Sequence, residues 1–169
     1  MHKHPRFPHR NAQAGFTLVE LGVVTMIISI LGLMAVQAYR RMSIRSRTSV
    51  VLNDFRVISG AMNAYDLDKG AWPPSAAPGV MPAAMQGYVT QTNFTNPTVI
   101  GGYYTWATNS LQGGTTYQAV IIISSANGSN ITADTGQLID IDKKGDDGNL
   151  TTGNIFLGAS NYLVYVVAK

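Results

Sequence analysis

The chain contains no cysteine, and its three histidines all precede residue 10. Without cysteine there are no disulfide-braced loops, no thiolate nucleophile and no thiolate metal site. With His2, His4 and His9 confined to the extreme N-terminal segment, the rest of the chain has no imidazole. Ser-His-Asp, Cys-His and histidine-ligated metal chemistries are therefore excluded there by inventory. Serine, threonine, lysine and carboxylates remain, in no recognisable catalytic spacing. Charge is also scarce, at 12% of residues, and unevenly placed: from Phe16 to Tyr39 the one charged side chain is Glu20.

That stretch predicts a membrane-spanning helix over residues 16–39, since about 20 predominantly apolar residues suffice to cross a bilayer. A carboxylate within hydrocarbon costs roughly 2.5–3.5 kcal/mol even on insertion scales. Glu20 therefore either snorkels to the interface or meets a partner. Gly22, Thr25, Ser29 and Gly32 fall within an arc of roughly 80° at 100° per residue, a stripe of small residues that lets helices approach closely in lipid. Phe16 and Glu20 lie roughly opposite that stripe. Arg40, Arg41, Arg45 and Arg47 follow as a basic collar, suited to lipid headgroups. Weighed against Lys3, Arg6 and Arg10 ahead of the span, they leave the positive-inside rule without a clear orientation.

An ordinary secretory signal places its cleavage site after the apolar core, between small residues, and none closes this one. Gly15-Phe16-Thr17-Leu18-Val19-Glu20, preceded by a basic segment, instead resembles the type III signal of type IV prepilins and pseudopilins. The resemblance implies that residues 1–15 are a leader removed by a prepilin peptidase between Gly15 and Phe16, and that the new Phe16 amine is methylated. It also implies that Phe16 and Glu20 are assembly residues. The α-ammonium freed at Phe16, with an ordinary pKa of roughly 8, supplies a cation at nearly the depth of Glu20. Pairing Glu20 with the Phe16 amine of a neighbouring copy then offsets both desolvation costs at one helix stagger.

Removing the leader's three basic residues leaves nine basic and nine acidic side chains, so the net charge of +3 says nothing about nucleic acid. No nucleic-acid partner is expected. Val51, Phe55, Ile58, Met62 and Tyr65 continue a helical period with one face to bury. Gly70 and Trp72-Pro73-Pro74 end that helix near Lys69, giving residues 16–69 a length of roughly 80 Å. The segment Tyr65-Asp66-Leu67-Asp68-Lys69-Gly70-Ala71-Trp72-Pro73 resembles the helix-end turn of major pseudopilins of type II secretion. Residues 70–169 read as a β-rich head. A short helical turn is expected at Pro82–Gln86. Strands are expected over Ile100–Thr108, Tyr117–Ser124, Gln137–Ile141 and Asn161–Val167, joined as an antiparallel meander by Gly113-Gly114, Asn127-Gly128 and Asp147-Gly148. Val120, Ile122, Leu163 and Tyr165 are the expected contacts with the helix. The fold class is α+β: a long N-terminal helix, membrane-spanning in its first half, packed on a small antiparallel sheet.

Asp140, Asp142, Asp146 and Asp147 form an acidic run broken by Gly145 and Gly148, the donor set of an oxygen-ligated cation. The spacing is not that of an EF-hand, and Lys143 and Lys144 offset two of the charges. Major pseudopilins carry a calcium loop in this region, so the resemblance implies Ca²⁺ there; no other cofactor is expected. The whole implies a structural subunit rather than an enzyme. It is anchored in the bacterial inner membrane by a single pass, with its head outside the cytoplasm. Its partners are copies of itself, other pilin-like subunits, prepilin peptidase and an inner-membrane assembly platform, and it assembles into a periplasmic or surface filament. A type II secretion pseudopilin is the leading reading; a type IV pilin or minor pilin for adhesion, motility or DNA uptake is the alternative.

Overall fold

Leu18–Lys69 forms one 52-residue helix, α1, in the computed structural model, which describes residues 15–89, 94–158 and 162–169. The chain divides into two compact units, one ending at Arg41 and the other spanning Met42–Lys169, here the head. In the first unit every described residue of α1 is exposed, Leu18, Met26, Leu33 and Met34 each by more than 60%. It is long and apolar enough to cross a membrane. From Thr48 onward α1 has an inside. Val51, Phe55, Ile58 and Met62, spaced by four, three and four residues, are almost fully buried. Phe55 stacks on Tyr165 at 4.8 Å and meets the edge of Tyr104 at 6.1 Å.

The helix ends where the turn residues require it. Gly70 takes the left-handed conformation (φ +71°) and donates its N–H to the Asp66 carbonyl at 2.7 Å, the cap glycine provides. Tyr65 packs edge-on against Tyr88, whose hydroxyl donates to Asp68 at 2.6 Å. Trp72 lies against Trp106 at 5.7 Å, and the Trp106 indole N–H donates to the Pro73 carbonyl at 2.9 Å. The aromatics that flag the turn in the sequence therefore fasten the end of α1 to the sheet. A 3₁₀ turn at Ala83–Met85 falls where a helical turn is expected.

The sheet contains β1 (Tyr103–Gln112), β2 (Thr115–Ser124), β3 (Ile155–Leu157) and β4 (Leu163–Ala168), all pairs antiparallel, in the order β1-β2-β4-β3. Gly113 and Gly114, both at positive φ, form the two-residue turn of the β1–β2 hairpin. Such a turn needs left-handed backbone at both central residues, which glycine accepts at no steric cost. The simple meander is not found, because a helix and a short strand separate β2 from β4. That helix, α2 (Thr135–Gly145), replaces the strand expected over Gln137–Ile141. Asp134 caps it by accepting the Gln137 N–H at 2.8 Å, and Leu138, Ile141 and Asp142 repeat at helical spacing on its buried side. Lys143 and Lys144 suit its C-terminal turn. The strand expected over Asn161–Val167 is β4; Asn161 lies outside the described residues.

β2 corrects a second expectation. Ala119, Ile121 and Ile123 join the core with α1, whereas Val120 and Ile122 belong to a separate cluster on the opposite sheet face with Phe156, Val164 and Val166. Because every residue from Ala119 to Ser124 is buried, alternation cannot tell one face from the other. Leu163 and Tyr165 do pack in the α1 core. Both sheet edges are occupied: Ala76 and Gly79 donate to the Trp106 and Tyr104 carbonyls along β1, and Leu157 of β3 donates to the Leu150 carbonyl.

One polar contact pins α1 to β1. The Tyr104 hydroxyl donates to Asp54 at 2.8 Å, and burial pushes the Asp54 carboxyl above its ordinary range. Tyr104→Phe leaves that carboxylate half-buried without its donor, at an expected cost of about 1–3 kcal/mol. Thermal melts of the head fragment Met42–Lys169 should show the loss at pH 7. It should shrink as the pH falls through the raised Asp54 value, where the acid is neutral in the folded state.

Candidate assembly site and acidic loop

At the N-terminal end of α1 the backbone of Gly15, Phe16 and Thr17 is not helical, and Phe16 is 80% exposed. Residues 1–14 of the expected leader lie outside the described residues. Thr17 and Glu20 form a reciprocal capping box. The Thr17 N–H and hydroxyl both donate to Glu20 Oε2, at 2.9 and 2.8 Å, and the Glu20 N–H donates to Thr17 Oγ1 at 3.2 Å. The Thr17 carbonyl receives the first helical bond, from the Leu21 N–H. This is the Thr-x-x-Glu arrangement that satisfies orphan amides at a helix start. Gly15, Phe16 and Glu20 thus lie in one short exposed segment. Thr17, which the expected site omits, is the residue that touches Glu20; its Thr-x-x-Glu spacing is readable in the sequence.

Further along α1, the Thr25 hydroxyl donates to the Gly22 carbonyl at 2.9 Å and the Ser29 hydroxyl to the Thr25 carbonyl at 2.7 Å. Satisfied on their own helix, these hydroxyls cost little in lipid and leave the stripe of Gly22, Thr25, Ser29 and Gly32 small. Arg40, Arg41, Arg45 and Arg47 are all exposed.

In the head, the acidic run separates into two groups. Asp140 faces α1: it accepts from the Thr48 hydroxyl at 2.9 Å and from Lys144 at 2.8 Å, and Lys144 foremost holds its carboxyl below the ordinary range. Asp142, Asp146 and Asp147 each present a carboxylate oxygen within 4.8 Å of the others. Helical geometry divides them, since Asp140 and Asp142 two residues apart on α2 point in different directions. Asp147 is satisfied within its loop by the Thr152 hydroxyl at 2.7 Å and the Asn149 N–H at 2.8 Å, which hold its carboxyl low. Asp146 accepts from the backbone N–H groups of Asn154 and Ile155.

Asp142 is different: it is fully buried, and among the described residues neither carboxylate oxygen makes a hydrogen bond. Burial first, then the charges of Asp147 and Asp146, push its carboxyl up, with only a weak offset from the Gly148 backbone. A side chain at Gly153 would run into the Asp146 and Asp147 carboxylates, so glycine is what lets the loop close over them. An orphaned buried carboxylate beside two more, under a backbone that leaves no room for a Cβ, fits a hard divalent cation.

Residues 10–36 match the family described as the prokaryotic N-terminal methylation motif. Over 78 residues the chain is 38% identical to the fimbrial protein EcpC of Eikenella corrodens, covering 46% of this chain and 51% of that protein. Over 64 residues it is 34% identical to the type II secretion system core protein G of Pseudomonas aeruginosa, covering 38% of this chain and 45% of that one. The chain thus spans about half the length of the curated relatives it matches. Its fold is similar to that of the major type IV pilin PilA1 from Clostridium difficile, with a TM-score of 0.53 at 16% identity, covering 75% of this chain and 97% of that one.

The chain carries a prepilin-type methylation motif and a fold similar to that of a type IV pilin. The matched motif contains the capping box, so the segment around Thr17 and Glu20 is where that match and the local geometry coincide. The apolar N-terminal helix fits anchoring in a membrane.

The acidic loop makes a pH-dependent prediction. A carboxyl whose folded pKa is raised stabilises the fold as pH falls through that raised value, and this contribution is lost again as pH rises. In EGTA the head should therefore melt at a higher temperature on mild acidification from pH 7. Asp142→Asn should raise the melting temperature at pH 7, by an amount equivalent to about 1 kcal/mol, and flatten that part of the pH profile. Calorimetry of the fragment Met42–Lys169 at stepped pH measures both.

Proposed function

We propose that the chain is a pseudopilin, a structural subunit of a short envelope filament that serves type II protein secretion. Prepilin peptidase cuts between Gly15 and Phe16 and methylates the Phe16 amine. The helix over residues 16–39 stays in the inner membrane, with the head outside the cytoplasm. At an inner-membrane assembly platform, copies of the subunit and other pilin-like subunits then stack into the filament. The role is mechanical rather than catalytic, with no nucleic acid as partner.

The observation that carries this reading is the lone carboxylate of Glu20 on a wholly exposed apolar helix, directly behind Gly15 and Phe16. An unpaired acid there costs roughly 2.5–3.5 kcal/mol. A neighbour's Phe16 ammonium relieves that cost at one axial offset, so the pair sets subunit register. The stripe of Gly22, Thr25, Ser29 and Gly32 gives neighbouring helices a close-packing surface. Ca²⁺ in the acidic loop belongs to the same reading: Asp142, Asp146 and Asp147 would hold it, and it would supply the countercharge that the buried Asp142 carboxylate lacks.

One observation favours a pilus subunit instead: the fimbrial relative matches over a longer stretch, and at higher identity, than the secretion relative. Deleting the gene discriminates the two. Loss of exported proteins from the medium with surface filaments intact supports secretion, and the converse supports a pilus.

Subunit isolated from cells should have a mass beginning at N-methylated Phe16. Glu20→Ala subunits should be processed normally yet enter filaments at least about tenfold less, the factor equivalent to roughly 1.4 kcal/mol. Protein that still begins at Met1, or Glu20→Ala assembling like the parent, refutes the scheme. Calcium should raise the melting temperature of the head and EGTA reverse it, with no such shift in Asp142→Asn; an unchanged melt for the parent removes the cation from the account.

A further inference from the structure

Where α1 ends against the β1–β2 hairpin, the head has a cleft of about 610 Å³, lined by Asp66 and Trp72 from the helix end and by Thr108, Asn109 and Gln118 from the strands. That lies within the roughly 300–1,000 Å³ of ordinary small-ligand sites. The pairing at Glu20 makes no use of it. Asn109 takes left-handed backbone (φ +48°) inside β1, and the ladder, which joins Thr108 to Ala119 and Ser110 to Tyr117, skips Asn109 and Gln118. Such a conformation costs energy within a strand, and the two residues that leave the ladder both line the cleft. Thr108 is engaged by Ser75, and Asp66 accepts the Gly70 N–H with its backbone carbonyl. The side chains of Asp66, Asn109 and Gln118 have no hydrogen-bond partner among the described residues.

Trp72 gives this polar cleft one aromatic wall. The indole is held in advance, lying against Trp106 at 5.7 Å, while the next residue, Pro73, accepts the Trp106 N–H at 2.9 Å. Around it stand a carboxylate, which accepts, and two carboxamides, which both donate and accept. No basic side chain lines the cleft, and Lys69 beside it in sequence is paired with Asp68 at 2.9 Å, so an anionic ligand meets no countercharge. A single indole falls short of the aromatic cage that holds a quaternary ammonium. A wholly apolar ligand would strand three unpartnered polar groups. These exclusions leave a neutral ring with an apolar C–H face and hydroxyls around its rim. We propose that the cleft binds a neutral carbohydrate: a pyranose ring lies on the Trp72 indole, and Asp66, Asn109 and Gln118 take its hydroxyls. The site lies wholly in the head and does not depend on the register set at Glu20, so it holds for a subunit of either kind of filament.

The full chain is tested in a zwitterionic detergent, which has no sugar headgroup to compete. Trp106 is fully buried and Trp72 only partly so, and the chain has no other tryptophan, so a sugar-dependent change in tryptophan emission reports the cleft. Emission and saturation-transfer NMR are followed against maltotriose, cellotriose, lactose and N,N′-diacetylchitobiose, with glucuronate and choline as charged controls. At least one neutral sugar should shift the emission and receive saturation on its ring C–H protons at millimolar concentration, and neither control should. Asn109→Gly keeps the left-handed backbone at no steric cost, and it and Gln118→Ala each remove one exposed amide. Both should melt like the parent or better and bind at least about fivefold more weakly, the scale of one lost hydrogen bond. Trp72→Ala should abolish binding, and Trp72→Phe should retain part of it.

Binding of none of the four neutral sugars overturns the proposal. Binding that survives Asn109→Gly and Gln118→Ala undiminished puts the sugar elsewhere and overturns it as well. Choline bound in place of sugar makes the cleft a cation site, and association of copies that is lost in Trp72→Ala without any sugar effect makes it an interface; each of these ends carbohydrate recognition. None of them bears on cleavage at Gly15 or on Glu20→Ala, which test the filament reading separately.

Discussion

A carboxylate on an apolar helix with no protein around it is the constraint that organises this molecule. Hydrocarbon does not solvate charge, so on a helix apolar enough to cross a membrane Glu20 calls for groups fixed in space, and the first of them belong to its own chain. Thr17 answers with an amide and a hydroxyl. From Leu21 to Tyr39 nothing else competes: the Thr25 and Ser29 hydroxyls are bonded back to carbonyls of their own helix, and no side chain is charged. The same helix then changes character. Beyond Thr48 it buries a stripe of Val51, Phe55, Ile58 and Met62 in an aromatic-rich core, so one continuous element carries two patterns.

Where the physics is local, the sequence announces it. The length of α1, its end at Lys69, the glycine that caps it and the two-residue glycine hairpin all follow from backbone rules that act over a few residues. Where the outcome depends on what lies across the core, the sequence is silent. Gln137–Ile141 is a short apolar run that suits a strand or a helix equally, and the Asp134 cap together with the need to bury Leu138 and Ile141 decides for α2. Val120 and Ile122 are indistinguishable from Ile121 and Ile123 by composition, because β2 is covered on both faces. β3 is only three residues long, too short to carry a period.

The acidic run shows the same division within the candidate sites. Four aspartates in one stretch read as one group. Once Asp140 and Asp142 are placed on a helix, their side chains part: Asp140 turns to Thr48 and Lys144, and Asp142 turns inward toward Asp146 and Asp147. Only three dimensions reveal that Asp142 is the carboxylate without a partner. At the other end of the chain Gly15, Phe16 and Glu20 lie in one exposed segment, as their closeness in the sequence requires. Thr17 escapes attention because its role is expressed in hydrogen bonds rather than in charge.

The covered margins of the sheet bear on how such a chain tolerates crowding. β1 is met at Tyr104 and Trp106 by the strap through Gly79 and Ala76, and brief β3 is met at Leu157 by Leu150, so each border is partly taken up by the chain's own backbone. Many copies lined up at high local density would otherwise find each other through their strands and grow into a cross-β ribbon. Each border taken up in this way leaves less of the sheet for a second copy's strand to extend.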